Sequence, residues 1–144
     1  MVFKSILTHE RPHLDEIVAI WLLRKFGEQR FPGISTAEVT FRSIRKLAES
    51  GLKPDDHEAQ VTLLLGVGGG RFDEHPTMQE GRKAGDCATT LVAKELGTVF
   101  RGIEGIAHLV ERIALARLIA VKYCRSRDVP AAFRITHASL LVKA

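Results

Sequence analysis

His9, His13 and Asp15 stand at the spacing H-x-x-x-H-x-D, and a second cluster, Phe72-Asp73-Glu74-His75, follows the run Gly66-Val67-Gly68-Gly69-Gly70. Imidazole and carboxylate together are a ligand set for first-row divalent ions. His9, His13, Asp15, Asp73 and His75 are therefore candidate metal ligands, with Mn²⁺ the leading ion and Mg²⁺, Zn²⁺ or Fe²⁺ as alternatives. Two histidines at fixed offsets need such an explanation, because an imidazole has no capping role. Asp15 and Glu16 also have a plainer reading, since acids in a first helical turn gain from the macrodipole. The chemistry expected is hydrolysis: a cation lowers the pKa of water, which attacks phosphorus in line while charge on the leaving side is neutralised. His75 is the candidate general acid, or the group that orients the phosphate.

These residues need elements to hold them. Val2–Thr8 reads as a buried strand that delivers His9, and Asp15–Phe26 as a helix with Leu14, Ile17, Val18, Trp21 and Leu22 on its apolar face, stopped by Gly27. Pro12 stiffens the loop between them and biases Arg11 towards extended backbone. Ala37–Ile44 reads as a half-buried strand, Ser43–Glu49 as a short helix or strand-end excursion, and Lys53–His57 as a polar loop. Val61–Leu65 is a continuous apolar run, a central strand ending in the glycines, which permit positive φ and close backbone approach. Neither a G-x-G-x-x-G nor a Walker loop is present. Residues 78–83 form a polar loop, and Asp86 is expected to cap a helix over Cys87–Leu96 closed by Gly97. With Thr89 and Thr90, that helix N-terminus could receive a phosphate. Gly102–Cys124 has the spacing of a long amphipathic helix, and the tail 129–144 is apolar enough to pack.

The order strand, helix, strand, strand, helices predicts an α/β layered fold with a mostly parallel sheet flanked by helices. Ligand sites in such sheets lie outside the carboxyl ends of the strands, where both clusters fall. At 144 residues the chain is expected to form a single domain over 1–144, burying roughly two-thirds of its unfolded surface.

Composition excludes several classes. The chain is 45% hydrophobic and 26% charged, and no apolar run reaches the ~18 residues of a membrane span. Lys4 and a short apolar stretch do not make a signal peptide. Cys87 and Cys124 form no C-x-x-C pair, so a cytoplasmic or organelle-matrix location is expected. The net charge is +4, with Arg101, Arg112, Arg117, Lys122, Arg125, Arg127 and Arg134 concentrated in the C-terminal part. An anionic partner would suit that part, a phosphorylated substrate or a nucleic acid; a solvated helical face is the plainer alternative. Aromatics are not interleaved with these cations, so no base-stacking surface is expected. His57, His108 and His137 are read as structural or exposed.

Three segments resemble the DHH phosphoesterase superfamily, nearest its metal-dependent exonuclease family named for melanocyte proliferation. Thr8-His9…His13-Leu14-Asp15-Glu16 is similar to that family's T-H…H-x-D-E motif, with two fewer residues in between. Val67-Gly68-Gly69…Phe72-Asp73-Glu74-His75 resembles V-G-G-x-Y-D…Y-D-H-H in compressed form, and Cys87–Gly97 resembles the helix S-S-A-G-L-V-Y-x-x-F-G. The likeness covers residues 1–97 and gives out over the basic part, 101–144. It implies a Rossmann-like sheet and hydrolysis of phosphoester or phosphoanhydride bonds with Mn²⁺ or Mg²⁺. His9, His13 and Asp15 would then be ligands of the first motif, and Asp73 and His75 of the DHH-like motif. Two positions depart from the pattern: Gly66 stands where the family carries a metal-bridging aspartate, and Glu74 replaces a histidine. A metal-dependent phosphohydrolase, with a nuclease among its forms, is the reading these residues favour. The alternatives are a catalytically degenerate metal- or phosphate-binding module, and a structural domain with incidental histidines.

Overall fold

The computed structural model describes residues 1–75, 86–97 and 105–124. Its centre is strand β1 (Ser5–His9), which pairs in parallel with β2 (Glu38–Arg42) on one side and β3 (Thr62–Leu64) on the other. Parallel neighbours require crossovers. Helix α1 (Leu14–Phe26) links β1 to β2, while α2 (Ile44–Glu49) and α3 (Pro54–Ala59) link β2 to β3. Two further helices follow, α4 (Ala88–Glu95) and α5 (Ile106–Cys124).

Side chains alternate across a strand, and β1 shows what each face meets. Ile6 joins Leu63 and Leu65 in a core with Ala19, Leu22 and Leu23 of α1 and Ala88 and Val92 of α4. Leu7, on the other face, joins Leu64, Val67 and Leu47 of α2. Among the described residues the result is an α/β fold with an open, all-parallel, three-stranded sheet flanked by helices, compatible with a Rossmann-like layered arrangement.

Three expectations are corrected. Lys53–His57 is not a loop throughout: Pro54 opens α3, and Asp56 Oδ2 accepts the Lys53 N–H at 2.8 Å. Pro at the first helical turn lacks only a donor that would have no helical partner. Cys87, not Asp86, is the N-cap of α4; its N–H donates to Thr90 Oγ1 at 2.8 Å, while Asp86 accepts from Thr90 Oγ1 and Lys94 Nζ. Helix α1 is also rotated from its expected phase. Asp15, Glu16, Ala19, Leu22 and Leu23 are buried, whereas Leu14 and Trp21 are 46% and 44% exposed.

The expected loop 78–83, the tail 129–144 with His137, and Arg101, Arg125, Arg127 and Arg134 lie outside the described residues. His57 is buried and His108 exposed. No helix among the described residues is long and apolar enough to cross a membrane.

Candidate metal centre

Strand β1 ends on His9, and His13 is the extended residue from which α1 starts. Asp15 and Glu16 follow in the first turn. Successive helical positions are rotated by about 100°, so these two acids face different surroundings. Glu16 turns towards the histidines. Its Oε1 lies 3.3 Å from His9 Nε2, and its Oε2 accepts the His13 N–H at 2.5 Å and lies 3.4 Å from His13 Nδ1. The two imidazole rings are 5.0 Å apart between centroids. Donor atoms of His9, His13 and Glu16 all lie within 4.8 Å of one another.

Asp15 goes elsewhere. It is buried, its backbone carbonyl accepts from Thr89 Oγ1 at 2.5 Å, and its charge acts on Cys87 at the start of α4. That bond ties α1 to α4 and engages a hydroxyl that was expected to be available for phosphate.

The second cluster is built by the turn after β3. Leu65 bridges to Phe72, and the Gly66 N–H donates to the Phe72 carbonyl at 3.0 Å. Asp73 is next. Its Oδ2 accepts the Gly69 N–H at 2.8 Å; its Oδ1 accepts the His75 N–H at 3.0 Å and lies 2.7 Å from His75 Nδ1. Gly69 has φ +72°, a backbone conformation glycine adopts without a Cβ penalty. Asp73, Glu74 and His75 form a second triad within 4.8 Å, with both acids buried and the imidazole exposed.

Gly66 touches the first triad and bonds to the residue before the second. Gly66 has φ +65°, and a Cβ built on it would lie 2.8 Å from both Cγ and Oε1 of Glu16. The glycine that hydrogen-bonds to the residue before Asp73 is thus the surface on which Glu16 rests. In the register of β1 and β2, His9 pairs with Arg42, an exposed cation at the same carboxyl edge.

Charge in both triads is favoured by their own partners. Burial works against the Glu16 carboxylate, but the hydrogen bond and charge of His13, the charge of His9 and the His13 N–H together hold it below the usual carboxylate range. Burial likewise opposes Asp73, and the His75 imidazole with the N–H groups of His75 and Gly69 holds it low. The Cys87 thiol is pushed up, first by burial and then by the charge of Asp15.

Of the five residues singled out in the sequence, His9 and His13 come together, as do Asp73 and His75, while Asp15 belongs to neither triad. Glu16, Glu74 and Arg42 were not singled out as site residues. Only the helical rotation separating Glu16 from Asp15 could have signalled the first. Comparison with family models, with curated proteins and with solved structures returns no match.

Proposed function

We propose that the chain is a metal-dependent phosphohydrolase acting on an anionic phosphoester, a nucleic acid among the candidate substrates. The observation that carries this reading is a pair of His/carboxylate triads on the segments that follow β1 and β3, with Gly66 packed against Glu16 of the first and hydrogen-bonded to Phe72, the residue before the second. Four ligands around an ion at 2.0–2.1 Å lie about 3.3 Å apart. His9 Nε2 lies 3.3 Å from Glu16 Oε1 and His13 Nδ1 3.4 Å from Oε2, so each nitrogen meets its own oxygen at about that spacing. A divalent ion of the Mn²⁺ or Zn²⁺ type, when bound, supplies activated water and neutralises charge developing on phosphate oxygens.

The chain's own residues divide the remaining work. His9 and His13 hold the cation, and Asp73 fixes the His75 ring through Nδ1. An Nδ1–H donated to a carboxylate leaves Nε2 as the atom that takes or gives a proton. His75 is exposed and thus within reach of a substrate. Arg42, beside His9 in the sheet register, supplies positive charge for the phosphate.

One observation favours the second reading, a module without catalysis. The Arg11 N–H donates to His9 Nδ1 at 3.3 Å, which leaves the Nε2 proton directed at Glu16 and satisfies the pair with no cation. Metal ligation through Nε2 needs that proton to move to Nδ1 and the Arg11 amide to turn aside. Incubating the tag-free chain with a generic phosphodiester and Mn²⁺ separates the two. Turnover that needs Mn²⁺ and disappears in His9→Ala supports the hydrolase; stoichiometric Mn²⁺ uptake with no turnover of any phosphoester supports the module.

A further inference from the structure

We propose that Glu16, not Asp15, is the carboxylate that completes the cation site begun by His9 and His13, and that Gly66 is the position that makes room for it. The proposal deepens the hydrolase reading and rests on it only for the presence of a cation.

Three observations carry it. The carboxylate of Glu16 addresses both imidazoles at once, one oxygen towards each ring, from an element different from the one that supplies His9. A glutamate at the third helical position normally accepts the N–H of the capping residue, and Oε2 does so here. The other oxygen, Oε1, is buried and faces His9 Nε2 on β1 at 3.3 Å, so one side chain serves both the cap and the imidazole pair. A carboxylate already held in its charged form between two imidazoles presents anionic oxygen and ring nitrogen together, the mixed donor set of a divalent ion.

Gly66 supplies the second observation. With φ +65° and 2.8 Å from its virtual Cβ to Glu16 Oε1, it can carry no side chain while the carboxylate keeps its place. The atoms of Glu16 occupy the volume where a residue at position 66 would begin. Asp15 supplies the third: it falls outside the group whose donor atoms lie within 4.8 Å of one another, and its backbone carbonyl is tied to Thr89 of α4.

The test is titration of Mn²⁺ alone, by calorimetry, into the full tag-free chain stripped with EDTA. Wild type, Glu16→Gln, Asp15→Asn, Gly66→Ala and Gly51→Ala are compared, each checked for folding by circular dichroism. Glu16→Gln is expected to weaken Mn²⁺ at least about tenfold, since even second-layer partners of ligands are worth that much. Asp15→Asn is expected to change it by less than about threefold. Gly66→Ala is expected to weaken binding without removing any ligand, whereas Gly51, with φ +67° and nothing within 4 Å of a Cβ, provides the matched control. Loss of Mn²⁺ in Asp15→Asn with retention in Glu16→Gln overturns the proposal and leaves the hydrolase reading standing. A wild type that takes up no Mn²⁺ overturns both. If Glu16→Gln does not fold, the glycine pair decides: equal Mn²⁺ affinity in Gly66→Ala and Gly51→Ala overturns the proposal.

Discussion

Arg42 lies beside His9 in the parallel ladder of β1 and β2, each the last residue of its strand. On the proposed hydrolase reading, a guanidinium at that edge would form charge-assisted bonds with a phosphate bound next to the histidines. Arg42→Ala is accordingly expected to raise KM for a generic phosphodiester about tenfold, the worth of one bond to a charged group. Mn²⁺ affinity is expected to stay unchanged. An unaltered KM assigns Arg42 to the solvated surface.

The packing of Glu16 on Gly66 has a stability consequence independent of any cation. Gly51→Ala meets only the positive-φ penalty, partly offset by a less flexible unfolded chain, and should cost about 1 kcal/mol. Gly66→Ala adds a collision with a buried carboxylate, worth a further ~1–3 kcal/mol by the measure of overpacked cores. Urea denaturation of both variants checks this. Equal midpoints would mean that Glu16 yields freely.

Helix α1 offers a test of its phase. Leu22 is fully buried between the sheet and α4, so Leu22→Ala should cost about 2–5 kcal/mol. Trp21, its neighbour, is 44% exposed and stacks edge-on against Phe26 at 5.7 Å. Trp21→Ala should cost no more than about 1.5 kcal/mol. Equally large losses in the two variants would restore the phase that the apolar pattern suggested, in which both residues pack.

Acid should weaken the turn between α1 and β2. The Glu28 carboxylate accepts from Ser35 Oγ at 2.6 Å and from the N–H groups of Gly33 and Ser35 at 2.7 and 3.0 Å. The Ser35 hydroxyl, then these N–H groups, hold its pKa below the usual value. A depressed carboxyl stabilises the fold above its unfolded pKa, about 4.3, and that stabilisation fades as pH falls through the lower folded value. Glu28→Gln should therefore unfold at lower temperature than wild type at pH 7, with the two melting curves converging once the folded-state carboxyl is protonated. A gap that persists there would contradict the assignment.

Much of the scaffold was legible because its signals are one-sided. Ile6-Leu7 and Leu63–Leu65 place consecutive apolar residues in their strands, as parallel strands covered on both faces require. The phase of α1 was not legible for the opposite reason. Ile17, Val18 and Ile20 make the helix apolar nearly all round, so periodicity cannot choose between Trp21 and Leu22. Helix α3 was hidden because Pro54-Asp55-Asp56 reads as a turn, yet the same residues start a helix when Asp56 caps Lys53. At the site, the histidines and the glycine turn announced themselves by type. The exchange of Asp15 for Glu16 did not, because adjacent first-turn acids look alike until tertiary packing sets the rotation.

Elemental analysis of the chain, purified without a histidine tag and dialysed against excess Mn²⁺, tests the central claim most directly. The account predicts at least one firmly held divalent ion per chain, lost in His9→Ala while the circular dichroism spectrum stays unchanged. Protein that emerges from that dialysis free of metal, folded and with both triads intact, would contradict it.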